Sequence, residues 1–209
     1  MRTVIKNREL IENRRDQIGE CALHIFAKNG YDRTTVEAIA NACRLGVGSV
    51  YRYVGNKQDI LFLAIESFLN KAQVLAVNAQ NYSELLPPEE AIKNILKELF
   101  EFYDMYRDFT MFVYHEMRNL LEKHRNWCFD IEEKIIDSIE QALRKGFEDG
   151  VFHSNNFRVS AHNILVLAEM WAVRGWFLKK QQSLEEHIRH QTDFILDGIR
   201  SNSSSSGTS

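Results

Sequence analysis

The stretch TTVEAIANACRLGVGSVYRYVGNK, residues 34–57, decides the fold. It reads as two short helices joined by a tight turn. Thr34 is placed to cap the first helix, and Glu37 three residues on completes a capping box. Val36, Ile39 and Ala40 then share one helical face. Ala40 is small, as a residue must be where a second helix crosses closely. The apolar rhythm breaks at Arg44, Leu45 and Gly46 and resumes at Val47, Val50 and Val54. That is the spacing of a helix-turn-helix, whose second helix lies in the DNA major groove.

Thr34-Thr35-Val36, Ile39-Ala40, Leu45, Gly48, the Tyr51-x-Tyr53 pair, Lys57 and Leu61 together resemble the DNA-binding signature of the TetR family of bacterial transcriptional repressors. The resemblance covers residues 10–65 closely; beyond them the chain is similar in length and helical style. It implies that Val47, Ser49 and Arg52 face base edges, with Arg52 able to pair bidentately with guanine. It implies that Gly48 admits close approach to DNA, and that Thr35, Tyr51, Tyr53 and Lys57 hold phosphates and set register. There are departures. Arg44 stands where the family has Gly in the turn, and is expected to take a positive φ, uncommon for a side-chain-bearing residue. Gly46, Val47 and Val54-Gly55 replace a frequent Ser, Lys and Phe-Pro, which changes the operator and leaves the fold.

Charge agrees with this reading once it is divided along the chain. Residues 1–60 hold ten Lys/Arg against seven Asp/Glu, whereas residues 61–209 hold sixteen against twenty-two, and the whole sums to −3. The basic excess lies with the helix-turn-helix and the acidic excess away from it. The 209 residues are 44% hydrophobic, enough for a substantial core, and two prolines and ten glycines leave room for long helices. Cys21, Cys43 and Cys128 are scattered without a CxxC, which argues against a zinc site or disulfide framework and fits a reducing cytoplasm. His187 and His190 sit i, i+3 with no third ligand in view, so no metal and no cofactor is expected. No run approaches about 18 consecutive apolar residues, and no membrane is expected.

Taken in order, residues 1–9 read as a polar arm with Arg2, Lys6 and Arg8, either simply disordered or touching phosphates or the minor groove. A first helix over 9–28 stops at Asn29-Gly30. Asn56 caps a helix over 57–78, and residues 81–88, carrying both prolines, read as a linker. Glu89 and Glu90 then open a helix reaching about 105. Residues 100–129 concentrate aromatics and methionines, which fit plain core and the lining of an adaptable apolar pocket equally. Phe100, Tyr103, Phe112, Tyr114, His115 and Trp127 are the pocket candidates there. A helix over 125–149 ends at Gly150, within a Gly146-x-x-x-Gly150-x-Phe152 close that resembles the family's. The helix over 156–180 is apolar almost all round, which implies burial on more than one side. With the last helix, 184–199, it would form the homodimer interface typical of the family. Trp171 to Trp176 resembles the paired-Trp pattern of the branch answering to acyl-CoA thioesters, making Trp171 and Arg174 further candidates. The Ser-rich residues 201–209 read as a disordered tail.

The expected architecture is all-α. Residues 1–56 form a three-helix DNA-binding head, and 57–200 form a ligand-binding and dimerisation body. The expected function is a homodimeric, cytoplasmic repressor. It would bind a double-stranded DNA operator and be released by an apolar or amphipathic molecule such as a fatty acyl-CoA. The alternative is a chromosome-organising or division-control factor without an inducer. No nucleophile–base pair, phosphate loop or metal cluster points to an enzyme.

Overall fold

The computed structural model describes residues 2–154 and 156–200. Among them the regular structure is helical. The helices are α1 (Arg2–Asn29), α2 (Val36–Ala42), α3 (Val47–Tyr53), α4 (Lys57–Leu85), α5 (Pro88–Met105), α6 (Arg107–Glu116), α7 (Glu122–Glu148), α8 (Phe157–Arg174) and α9 (Leu184–Ile199). Single 3-10 turns cover Met117–Asn119 and Leu178–Lys180. The chain divides into two compact units. The first comprises residues up to 71 together with 108–130, and the remaining described residues make the second.

The first unit is built on α1, whose Ile18, Ala22, Leu23 and Phe26 are buried. Gly19 sits where α4 crosses: a Cβ there would lie 2.6 Å from the Leu63 carbonyl oxygen. Glu20 fastens the same crossing by accepting from Ser67 Oγ at 2.7 Å and pairing with Lys71 Nζ at 3.0 Å. Burial alone would raise the Glu20 carboxyl, but these two partners hold it below its ordinary value. Residues 108–130 join this unit through rings. Phe109 meets His24 edge-on, Phe112 stacks on Phe26, and Phe62 stacks on His124 and meets the edge of Trp127.

Several boundaries differ from expectation. The first helix begins at Arg2, so the expected arm is helical; its sequence has no Gly or Pro to stop a helix. Thr35, not Thr34, is the N-cap of α2, and its Oγ1 accepts from Ala38 N at 3.2 Å. Thr34 is buried instead and donates to the Gly30 carbonyl at 2.8 Å. Glu37 therefore falls one place short of the capping-box position. Arg44 does take a positive φ, 56°.

Asn56 caps α4 as expected. Its Oδ1 accepts from the Gln58 and Asp59 amides at 2.8 and 3.0 Å, while Asp59 Oδ2 accepts back from Gly55 and Asn56. The helix then runs to Leu85, through most of the expected linker, because Asn, Tyr, Ser and Glu tolerate a helix and only Pro87-Pro88 forces its end. Its last carbonyls are not wasted: Lys145 Nζ donates to those of Ser83 and Glu84. The helix α4 is long and apolar on average, but its longest unbroken apolar run is residues 60–65. Ile60, Leu61, Leu63, Ala64, Ile65 and Phe68 are buried in the protein, as a core helix requires.

In the second unit α5 packs on α8 and α9. Ser183 and Glu186 form a complete capping box at the start of α9, and Asn156 caps α8. The latter helix ends at Arg174, short of the expected 180, with Gly175 packed against the Trp171 carbonyl and a separate turn following. Gly146 and Gly150 make the corner after α7. Gly150 takes φ +73°, and Phe152 covers Gly146 so closely that a Cβ would fall 2.1 Å from its ring. Residues 201–209, expected as a tail, lie outside the described residues.

Candidate functional site

The helix α3 is only one and a half turns or so long, and its orientation is set by what it buries. Val50 is buried, so at about 100° per residue Gly48 and Arg52 fall on the opposite side and Tyr51 to one flank. These three are exposed, and nothing lies within 4 Å of a Cβ placed on Gly48. Val47 and Ser49 flank that face, each half-buried. The Tyr51 ring is 50% exposed, which argues against a core aromatic.

The flanking residues are held by hydrogen bonds. Arg15 on α1 donates from Nη1 to the Tyr53 carbonyl at 3.3 Å, satisfying an end of α3. Gln17 Nε2 donates to the Cys43 carbonyl at 3.0 Å, tying α1 to the end of α2. Thr35 spends one lone pair on its cap, leaving its O–H free to donate to a phosphate. Lys57 Nζ donates to the Asp32 carbonyl at 3.3 Å and stands 4.3 Å from the Tyr31 ring centroid. That leaves further N–H groups of the ammonium for a phosphate. Arg15 and Gln17 were not singled out in the sequence; they sit beside the apolar positions of α1, and only the tertiary contact reveals them.

The expected pocket residues divide between the two units. Phe112, Tyr114, His115 and Trp127 belong to the first unit, and Phe100, Tyr103, Trp171 and Arg174 to the second. Phe112 and Trp127 are engaged with Phe26 and Phe62, as above, whereas Tyr114 and His115 are exposed. Arg174 is also exposed. Trp171 is buried, donates from Nε1 to Asp104 Oδ1 at 2.8 Å, and stacks on His187 at 4.2 Å. Phe100 meets the edge of the same imidazole at 5.1 Å. No group of three or more His, Cys, Asp or Glu suited to a metal ion occurs among the described residues.

The second unit does hold a polar group that sequence alone did not reveal. Tyr103 Oη donates to Glu169 Oε1 at 3.1 Å, and Glu132 lies close enough for its charge to act on both. Burial, reinforced by Glu132, pushes the Glu169 carboxyl up to about 7 despite the Tyr103 hydrogen bond. Glu132 is raised by burial too, partly offset by His162, and the Tyr103 hydroxyl is driven well above 10 by burial and then by Glu169. Near neutral pH, Glu169 is thus a proton donor for part of the time.

Residues 18–64 match the family described as "Bacterial regulatory proteins, tetR family", and residues 85–199 match "Tetracyclin repressor-like, C-terminal domain". The chain belongs to the TetR family. It is a DNA-binding transcriptional regulator, and its family members are regulators rather than enzymes. This regulator is 27% identical over 188 residues to the HTH-type transcriptional regulator HbdR of Aromatoleum sp. (strain CIB), spanning 90% of this chain and 81% of HbdR. The fold is shared with the fatty acid degradation regulator FadR from Bacillus halodurans: TM-score 0.72, 21% identity, 88% of this chain and 95% of that one. It is shared also with AibR, solved in complex with isovaleryl coenzyme A and operator DNA: TM-score 0.68, 19% identity, 88% of this chain and 97% of that one.

Two predictions arise from these groups in the TetR-family regulator. Arg52→Ala should weaken a specific DNA site by about 1–3 kcal/mol and relax base preference, while Lys57→Ala should weaken all DNA alike and lower the salt slope by about one. Binding isotherms on specific and random duplexes across salt check this; equal losses on both duplexes for Arg52→Ala would contradict it. The second concerns pH. An acid raised on folding holds its proton more tightly when folded. The stability cost of Glu169 is therefore full above about 7 and is relieved as pH falls towards its ordinary 4.5. Glu169→Gln should exceed the parent in stability by about 1–3 kcal/mol at alkaline pH, with the gap closing towards acid, in urea unfolding.

Proposed function

We propose that this regulator is a homodimeric repressor that binds a near-palindromic operator and is released by an acyl-CoA-class ligand. The observation that carries the reading is the division of labour between the two units. The first presents the exposed Gly48, Tyr51 and Arg52 face of α3. The second leaves apolar surface uncovered around its last two helices: Phe194 is 70% exposed, Trp176 58% and Phe177 56%. Val166, Leu167, Met170 and Val173 of α8 are also only partly covered. A second copy seated on α8 and α9 would cover such surface isologously.

Two copies would present two α3 helices to successive major grooves, about 34–36 Å apart, and the operator would mirror that symmetry. Thr35, Tyr51, Tyr53 and Lys57 would hold phosphates, and Val47, Ser49 and Arg52 would meet base edges beside Gly48. The protein would work where its DNA is, in the cytoplasm. The name "Tetracyclin repressor-like" supports the sign of regulation, and AibR's bound isovaleryl coenzyme A together with FadR's named role supports the ligand class. In the body, the Tyr103–Glu169 pair, when Glu169 is protonated, has one donor beyond the bond between them, of the kind a thioester carbonyl accepts. The ligand acts only through differential affinity: it must bind the conformation that fits DNA poorly better than the one that fits it well.

Fluorescence anisotropy tests this with a duplex from upstream of the protein's own gene, at fixed salt, titrated with isovaleryl-CoA and with a long-chain acyl-CoA. Specific binding released by one thioester and not by free coenzyme A is the expected result. Specific binding unmoved by either thioester would overturn the ligand class and leave the regulator.

A further inference from the structure

Cys21 and Cys43 are far apart in the chain and together in the head. Cys21 lies on α1, half-exposed, and Cys43 is the buried C-cap of α2. The two thiols stand close enough for each to act on the other's proton. Cys43 Sγ also lies 4.0 Å from the carbonyl oxygen of Gln17, one helical turn before Cys21, and the Cys43 carbonyl accepts from the Gln17 side chain. The Cys43 sulfur therefore lies against the turn of α1 that runs from Gln17 to Cys21. The third cysteine, Cys128, is buried on α7.

We propose that Cys21 and Cys43 are a peroxide-oxidisable dithiol whose closure to a disulfide lowers the affinity of this regulator for DNA. The inference uses the DNA-binding role of α3 and needs neither the ligand nor the sign of regulation.

The chemistry balances with hydrogen peroxide as the oxidant. The Cys21 thiolate, on the half-exposed sulfur, attacks one peroxide oxygen. The O–O bond breaks, Cys21 becomes a sulfenic acid, and the leaving hydroxide takes up the thiol proton to become water. Cys43 then attacks the Cys21 sulfur, the S–S bond forms, and the sulfenic hydroxyl leaves as a second water with the Cys43 proton. Two thiols and one peroxide give one disulfide and two waters. The order follows from burial. Burial and the neighbouring Cys21 push the Cys43 thiol well up, so Cys43 is the slower thiol to ionise and acts second. Oxidation of Cys21 removes its thiolate charge and with it one of the causes that hold the Cys43 proton. In a reducing cytoplasm such a bond is transient, as a signal requires.

The consequence for DNA follows from where Cys43 stands. Its amide closes α2 on the Ile39 carbonyl at 2.9 Å, Arg44 beside it already holds φ 56°, and α3 begins three residues further on. A disulfide needs its sulfurs about 2.05 Å apart, well inside the contact distance of two separate thiols. Ile18, Ala22, Ile39 and Ala40 are fully buried around the two cysteines' helices, so the core yields little. The displacement falls on the turn, and through it on the pitch of α3.

The test uses the full chain and a duplex selected from random DNA by the reduced protein. Hydrogen peroxide should produce a peptide pair joined through Cys21 and Cys43, two hydrogens lighter than the reduced pair. DNA affinity should fall at least about tenfold and return with dithiothreitol. Cys21→Ser should keep its DNA affinity in peroxide; Cys43→Ala, assayed alongside, should form sulfenic acid at Cys21 without the fall. Oxidation that leaves the two residues unjoined, or a joined pair with unchanged affinity, would overturn the proposal. Failure of the reduced protein to select any duplex would count against the DNA-binding reading instead, since the mass change is read without DNA.

Discussion

A helix of seven residues cannot hold itself. Isolated helices shorter than about 12–15 residues are marginal in water, and α3 is well below that. Its existence and its direction depend on burying Val50 and Val54 against the rest of the head. The other contacts refine that one. Arg15 occupies a terminal carbonyl of α3, Gln17 fixes the end of α2, and Arg44 bends the chain between them in a conformation most side chains avoid. The exposed Gly48, Tyr51 and Arg52 face is the geometric remainder of this packing. The direction of this exposed face is therefore set by residues that lie outside it.

The same logic explains why the head extends beyond the first four helices. The face of α1 that does not meet α2 and α3 needs a cover, and rings of residues 108–130 supply it. Phe112 stacks on Phe26 and Phe109 meets His24. A periodicity of 3.6 shows that such residues are buried, but not in which unit. Phe112 and Trp127 therefore read equally well as pocket lining or core until their partners are known. Phe100, Tyr103 and Trp171 read the same way and lie in the other unit.

Much of the fold was legible because it rests on local chemistry. The helix-turn-helix, the Asn56 cap, the positive φ at Arg44, the start of α5 within a residue of its prolines and the full extent of α9 all follow from residues within a few positions of one another. What was missed needed either fine local discrimination or a distant partner. Thr34 and Thr35 are the same residue type side by side, and only the burial of Thr34 beneath the Gly30 carbonyl decides which one caps. Residues 81–85 look like a linker by composition, yet Lys145, sixty residues away, satisfies the end of a continuous helix there. The Tyr103–Glu169 pair and its neighbour Glu132 come from three different helices, and nothing in any one of them predicts the others.

The central claim is that packing of Val50 holds the proposed DNA-reading face of α3 in place. Amide hydrogen exchange of the full chain, parent against Val50→Ala, tests it most directly. Loss of the two methyls and the cavity left behind cost roughly 2 kcal/mol. The account predicts that this cost appears as faster exchange in α2 and α3, with weaker DNA binding and unchanged exchange in α5, α8 and α9. Unchanged protection in α3 together with undiminished DNA affinity would contradict it.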